Sequence, residues 1–343
     1  MFYYLDLALM TMGFKLYIRN HFEKLMNGLF FVYFESIATY QLYSRFDAIL
    51  RTSKNTRLHS IASFTYTMVS IFVQLWLLFK RSPIKRFINE LSSNLSNQDR
   101  YSMRRFSLKL LALFVIGTIF GITDLLVFGR AIDGVGLTFI ATLVNSCLRC
   151  LAMNHMARSG ATYVFFYRTI YLIDGAQVEK LVQNLIKHRP IHYNNEILSR
   201  HQILNFRAQL DSLFSPLVAS WLLNLLINLA GNMVIDKNEP ISYLMMEWLF
   251  FAYYSIITGI SLIYVIRNES NLVEKSNHLI YLIRKSTNGG QRLTHDARDF
   301  IGQLKERPLL TGCQQFDIKP SLFLNFIGSI ITFAVLFIQI IGQ

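Results

Sequence analysis

The sequence predicts an all-α, polytopic membrane protein of seven transmembrane helices, with its amino end in the cytoplasm and its carboxyl end outside. Three observations carry this. Of the 343 residues, 52% are hydrophobic and only 16% are charged, with a positive mean hydropathy, whereas a soluble domain of this size spreads more charge over its surface. Several uncharged runs reach the ~20 residues that a helix needs to cross a bilayer core, where unpaired backbone groups are too costly. Finally, Lys and Arg divide unevenly between alternate loops. The 28 Phe and 17 Tyr add to the case, since aromatic rings suit lipid-facing and interfacial positions.

Along the chain, Met1 to Ile18 is apolar, but Asp6 and Lys15 interrupt it and Gly13 weakens it as a helix. Residues 1–26 therefore read as a cytoplasmic segment with an interfacial helix lying along the membrane. No basic stretch precedes it, so no cleavable signal peptide is expected. The first span, 27–46, has Glu35 near its middle and Arg45 at its end; the second, 60–79, has no charge. The third, 106–129, carries Lys109 and Asp124 towards opposite ends. The fourth, 137–156, carries Arg149 and runs on as an amphipathic helix past Arg158. The fifth, 213–235, is uncharged, and the sixth, 241–266, holds only Glu247. Residues 267–319 form a cytoplasmic anchor segment, and the uncharged run 320–343 is the seventh span.

Of the 34 Lys and Arg residues, 26 fall in four stretches, 15–24, 80–105, 158–207 and 267–319, which alternate spans place on one side. Only Arg51, Lys54, Arg57, Arg130 and Lys237 fall on the other. Basic residues resist translocation, so the heavy side is cytoplasmic. The same blockwise layout sets aside a nucleic-acid partner for the net charge of +13. The segments Arg168 to Leu210 and Arg267 to Lys319 are long but helical in pattern. Tyr171, Leu172, Val178, Leu181, Val182, Leu185 and Ile186 recur at helical spacing, as do Leu279, Ile280, Leu282 and Ile283. Such faces need cover, supplied by extensions of neighbouring helices in this subunit or another. The external connections near Arg130 and between Asp236 and Pro240 are too short to form a capturing domain.

No enzyme is expected. The chain lacks G-x-S-x-G, H-E-x-x-H and a Walker lysine loop, and its eight His are scattered, with His155 on an apolar face. Three Cys make no disulfide framework or zinc site, and Cys147 and Cys150 flank Arg149 inside an apolar run. No metal or cofactor is expected.

Polar residues inside the spans are the candidates for function. Asn224, Asn228 and Asn232 share one helical face, either as hydrogen-bonding glue between helices or as the polar wall of a cavity. Tyr66, Asp124, Asn145, Tyr243, Glu247 and Trp248 lie in the outer halves of other spans. Together these aromatic and hydrogen-bonding groups would suit a small organic ligand, although Asp124 and Glu247 also stand where a side chain snorkels to water. In the last span Gln339 lies near the external end. It either joins helices or, repeated around an axis, forms a neutral hydrophilic constriction that passes cations with little selection.

The carboxyl terminus resembles that of insect gustatory receptors, whose last helix closes with Thr-Tyr, five mostly apolar residues and Gln-Phe. Here Thr332 and Gln339 stand at that spacing, with Phe333 in place of Tyr and Ile340 in place of Phe. Cys313 to Phe316 and the following Asp317 and Ile318 resemble the short bend before that helix, without the Gly that many members carry between the Cys and the Phe. The apolar leading segment, the basic stretch Lys85 to Leu95 and the extended fourth helix are also similar, and the amino end is shorter than in many members, as a truncated chain would be. The resemblance implies a ligand-gated, non-selective cation channel, assembled as a homo- or hetero-tetramer with related subunits. Its last helices would line the pore, with Thr332, Phe333 and Gln339 as pore residues and Gln339 as the constriction. A small-molecule tastant, bitter or aversive by default, would bind in the outer half of each subunit. The location implied is the plasma membrane of gustatory neuron dendrites.

Two other classes fit less well. A metabotropic seven-helix receptor has the opposite orientation, with Asp-Arg-Tyr at the close of its third span and Asn-Pro-x-x-Tyr in its seventh; here Asp99-Arg100-Tyr101 stands ahead of the third span instead, and the seventh has no Asn-Pro-x-x-Tyr. A secondary transporter would show an internal repeat or paired broken helices.

Orientation is open to a direct check, because the acceptors Asn94-Leu95-Ser96 and Asn268-Glu269-Ser270 both fall in loops read as cytoplasmic. Endoglycosidase treatment of protein expressed in animal cells is expected to leave its gel mobility unchanged. A shift abolished by Asn94→Gln would put that loop outside and reverse the topology.

Overall fold

Long helices dominate the computed structural model, which describes residues 6, 9, 14–18, 20–51, 54–128, 155–232, 241–287, 294–306, 310–313 and 316–318, with positions 321–322, 324–325, 328–329, 332 and 335 beyond them. In order these are α1 (His21–Arg51), α2 (Lys54–Phe79), α3 (Arg81–Ser93), α4 (Asn97–Phe128), α5 (His155–Ile186), α6 (Tyr193–Asn232), α7 (Ile241–Thr287) and α8 (His295–Lys305). A small hairpin, β1 (Thr311–Gly312) and β2 (Phe316–Asp317), follows. The described positions from 321 to 335 are helical.

Local sequence explains several boundaries. Pro83 sits in the first turn of α3, where its missing N–H costs nothing. Between α3 and α4 the Ser96 hydroxyl accepts from the Asp99 N–H (3.1 Å) and donates to the Asp99 carboxylate (2.6 Å), a reciprocal cap. α5 is followed by His188 with φ of 50°, a left-handed exit, and then by Pro190. Thr294 caps α8 by accepting from the Ala297 N–H at 3.3 Å.

Among the described residues no helix is long and apolar enough to cross a membrane. The expected spans 106–129, 213–235, 241–266 and 320–343 reach into positions that lie, wholly or in their side chains, outside the described residues, as does most of 137–156. The runs 27–46 and 60–79 lie inside α1 and α2. Ahead of α1, residues 14–18 are not helical. Leu9, Phe14 and Leu16 are buried in the main core, and the Asp6 carboxylate accepts the Leu16 N–H at 2.7 Å. Burial pushes the Asp6 carboxyl above its ordinary range, against the pull of its backbone donors.

Two apolar clusters organise the packing. The larger joins α2, α3, α4, α5, α6 and α7 and is rich in rings. Phe87 of α3 meets Phe166 of α5 (5.7 Å between centroids) and Phe206 of α6 (6.3 Å) edge-on, and Phe166 packs on Phe214 (5.6 Å). The smaller is built from the far ends of three helices: Val178 and Leu181 of α5, Leu279, Ile280 and Ile283 of α7, and Phe300, Ile301 and Leu304 of α8. Most of the apolar positions read from the spacing of α5 and α7 are thus covered within the chain, while Ile186 stays 56% exposed. α8 brings the third side, its amphipathic pattern putting Ala297, Phe300, Ile301 and Leu304 inward.

A layer of buried charge separates the clusters. Asp174 of α5 and Arg200 of α6 are paired, with neither side chain exposed at all. Arg207, one side of α6 and two turns on, is 3% exposed, bonds Glu269 of α7 at 2.6 Å and lies 4.0 Å from Asp174. Two cations and two carboxylates make the layer neutral. Burial works against the Arg207 charge, but the nearby Glu269 and Asp174 carboxylates together with Tyr167 more than offset this and hold the guanidinium above its ordinary range. Tyr167 closes the layer above, donating to the Val265 carbonyl at 3.2 Å. Its phenol is pushed well up by burial and by Glu269, so it stays a neutral donor.

Removing one member of a buried pair leaves the other uncompensated and costs about 3–5 kcal/mol, whereas replacing both by apolar groups of similar volume is close to neutral. Arg200→Met is therefore expected to lower the melting temperature of the detergent-solubilised protein sharply. Asp174→Leu combined with Arg200→Met is expected to recover most of the loss; a double variant as unstable as the single one would contradict this account.

Candidate functional site

The segment that leads into the last helix is fastened to α6 at one spot. β1 and β2 pair antiparallel, Thr311 opposite Asp317 and Gly312 opposite Phe316, and the Ile318 N–H donates to the Leu310 carbonyl at 2.7 Å. Leu310 and Ile318 are both buried in the main core, so the base of the hairpin is sealed. Its first strand is fastened to α6: the half-buried Asp211 carboxylate accepts the Thr311 N–H at 2.6 Å and the Thr311 hydroxyl at 2.8 Å. One turn further along α6, the Ser215 carbonyl accepts the Cys313 N–H at 3.1 Å, and the Ser215 and Thr311 hydroxyls lie 3.3 Å apart.

Cys313 takes φ of 53° to make this contact. For a residue with a Cβ that is a sparsely populated conformation, costing on the order of 1–3 kcal/mol unless the surroundings hold it. The hydrogen bonds on either side do so. Pro216 adds the other half of the joint. It removes one donor from the α6 ladder, and the carbonyls beside it take donors from outside the helix. Leu213 accepts the Trp76 Nε1–H of α2 at 2.7 Å, and Ser215 accepts Cys313. The proline of α6 thus stands where α2 and the hairpin attach.

Beyond the hairpin, the described positions of the last helix present a stripe. Ser321, Leu324, Asn325, Gly328, Thr332 and Val335 are exposed on the single chain, at steps of three, four and seven that keep to one helical face. The Ser329 and Thr332 hydroxyls are satisfied on their own helix, donating to the Asn325 carbonyl (2.9 Å) and the Gly328 carbonyl (2.8 Å). Thr332 therefore shows mainly its methyl group and a bonded oxygen to whatever faces it.

Of the residues singled out from the sequence, Thr332 is on this stripe, while Phe333 and Gln339 lie outside the described residues, as does Asn145. Tyr66 is on α2, Asp124 on α4, Asn228 and Asn232 on α6, and Tyr243, Glu247 and Trp248 on α7. All of their side chains lie outside the described residues. Asn224, at the start of the three-Asn face, is buried at 8%. Cys147 and Cys150 are outside the described residues as well. Among the described residues no cluster of His, Cys, Asp or Glu has the makings of a metal site.

Sequence reading overlooked the Asp211–Thr311 joint and the charge layer. The second left a trace. Ile170, Asp174, Val178 and Leu181 follow one helical face, as do Arg200, Ile203, Arg207, Leu210 and Phe214, so the charges occupy positions that the pattern reserves for core.

Comparison with known proteins agrees with this architecture. The 7tm chemosensory receptor family matches residues 25–341. The fold is shared with the insect olfactory receptor OR5 from Machilis hrabei. The structure in complex with eugenol aligns with a TM-score of 0.69 at 11% identity, covering 98% of this chain and 97% of that one. A second structure of the same receptor aligns with a TM-score of 0.64 at the same identity and coverage. No curated protein matches the chain. With nearly its whole length matched, the chain is a membrane protein of the 7tm chemosensory receptor family.

Proposed function

We propose that this receptor is a gustatory receptor acting as a ligand-gated, non-selective cation channel of the plasma membrane, opened by a bitter or otherwise aversive small molecule. The observation that carries the reading is the exposed stripe of the last helix, Asn325, Gly328 and Thr332 among it, on a helix whose entry is fastened to α6. Small and polar residues repeated along one exposed face suit an axis shared by several copies, and a homo- or hetero-tetramer of such subunits would extend the stripe towards Gln339 as a ring of neutral amides. Support for a small organic ligand comes from the shared fold, since OR5 from Machilis hrabei has been solved in complex with eugenol. The ligand pocket in this reading uses Tyr66, Asp124, Asn145, Asn228, Asn232, Tyr243, Glu247 and Trp248. The seven spans, the cytoplasmic amino end and the location in gustatory neuron dendrites belong to the same proposal.

Ligand binding must reach the pore through protein, and the joint at Asp211 offers a route. α6 contributes Asn228 and Asn232 towards one end and Asp211 and Ser215 one helical stretch earlier, so a shift of this helix moves the base of the last helix with it.

Whole-cell recording in cells without the relevant G-protein signalling tests the channel directly. A ligand-evoked current is expected, with Gln339→Ala and Gln339→Leu changing conductance or ion selectivity at unchanged surface expression. Unaltered currents from both variants would remove Gln339 from the pore, and substrate uptake without conductance would favour a transporter. For the joint, Asp211→Ala leaves the Thr311 N–H and hydroxyl without their charged acceptor, a loss of about 1.5–3 kcal/mol per bond. The evoked current per receptor at the surface is expected to fall severalfold in that variant and less in Asp211→Asn. Equal, wild-type currents in both would show that the joint does not transmit gating.

A further inference from the structure

The elbow between α3 and the first turns of α4 carries an unusual load of unneutralised charge. Eight cations, Lys80, Arg81, Lys85, Arg86, Arg100, Arg104, Arg105 and Lys109, fall within thirty positions that contain only two acids, Glu90 and Asp99. None of the eight forms an ion pair among the described residues. Asp99 is engaged with Ser96 in the cap of α4. Lys85, Arg86, Arg100, Arg104, Arg105 and Lys109 are all exposed.

Aromatic rings are set among these charges. Lys80 lies over Trp76 (5.1 Å), Lys85 over Tyr17 (5.1 Å) and Arg105 over Tyr101 (4.6 Å), while Phe79 is 81% and Tyr101 56% exposed. Rings and cations interleaved in this way suit the headgroup level of a bilayer.

The helix is amphipathic, yet its apolar face is not free. Ile84, Phe87, Ile88 and Leu91 are buried in the main core, and Phe87 is held between Phe166 and Phe206. α3 therefore has no hydrophobic face left with which to enter a membrane. What it presents outwards is charge, so any contact with lipid is electrostatic rather than insertive, unlike that of a free amphipathic helix.

We propose that this elbow is a docking surface for the headgroups of anionic phospholipids, polyphosphorylated ones above all, in the leaflet beside the exit of α2. Clustered cations immediately beyond a span are attracted to such headgroups, and the attraction falls off within a Debye length. Through Phe87 and Phe206 the docked elbow bears on α6 five residues before Asp211, the residue that holds the hairpin. The proposal rests on the cytoplasmic orientation argued above but not on ion conduction, so it is tested by binding.

The probe is a dioctanoyl phosphatidylinositol bisphosphate added to the full-length protein in nanodiscs of zwitterionic lipid. Saturable binding is expected, weakening about tenfold or more between about 0.1 and about 0.5 M salt. Lys85→Gln, Arg86→Gln, Arg104→Gln and Arg105→Gln combined are expected to weaken it about tenfold or more. The same number of charges removed at the other end of the chain, by Arg284→Gln, Lys285→Gln, Arg298→Gln and Lys305→Gln, is expected to leave it within about twofold. Equal loss in the two quadruple variants would reduce the effect to net charge and overturn the site, and unchanged binding in the first would do the same. Inositol trisphosphate binding as tightly as the lipid would replace the membrane by a soluble phosphate as the partner. If the first variant fails to fold, the charge-preserving set Lys85→Arg, Arg86→Lys, Arg104→Lys and Arg105→Lys decides: retained binding supports an electrostatic surface, and lost binding refutes it. Should the glycosylation test reverse the topology, the elbow would face the wrong leaflet while its binding in nanodiscs could still be measured, so the two failures are separable.

Discussion

Neither the Asp174 nor the Arg200 side chain has any contact with solvent, and that fact constrains everything around it. A buried ion is tolerable only with its counter-ion at hand, so α5 and α6 are locked at one mutual height, and Arg207 with Glu269 sets α7 against both. Apolar contacts are less directional than ion pairs. The charge layer divides the packing into the larger cluster and the small cap made by α5, α7 and α8. Once the three helices are fixed, α6 presents Asp211 and Ser215 where the hairpin needs them.

That hairpin is a small element with a large mechanical role. It is the point at which the chain leaves the α8 end of the bundle and enters the last helix, and the bonds of Thr311 and Cys313 to α6 converge on a single turn next to Pro216. A proline within a helix weakens the ladder locally. Here the weak place is shared with Trp76 of α2 as well as with Cys313, so bending α6 at this position would be felt by two other parts of the molecule at once.

Helix content and the amphipathic character of the segments around Val178 and Leu279 were legible because they rest on periodicity, which a single sequence displays. The same is true of the terminal Thr332 and its neighbours, whose spacing pointed to the family. Partnerships were another matter. Nothing in the local sequence says that Val178 will meet Phe300, or that Asp211 will take both donors of Thr311, because such contacts depend on how distant helices are brought together. The charges at Asp174, Arg200 and Arg207 were the one exception that could have been noticed, since each interrupts an apolar face where no lone ion would be tolerated. The leading segment shows the limit from the other direction. Its apolar character suggested contact with lipid, yet Phe14 and Leu16 are spent on protein, and hydrophobicity alone cannot tell the two destinations apart.

The small cluster has a consequence for the order in which the molecule is made. Val178 and Leu181 leave the ribosome well before their cover, which comes first from Leu279, Ile280 and Ile283 and only then from Phe300, Ile301 and Leu304. Until then the distal half of α5 is a greasy surface without a lid, open to chaperones and to mispairing with a neighbouring nascent chain. Chains cut short before α8 would keep part of that surface permanently bare, which makes them natural targets for quality control rather than partial receptors.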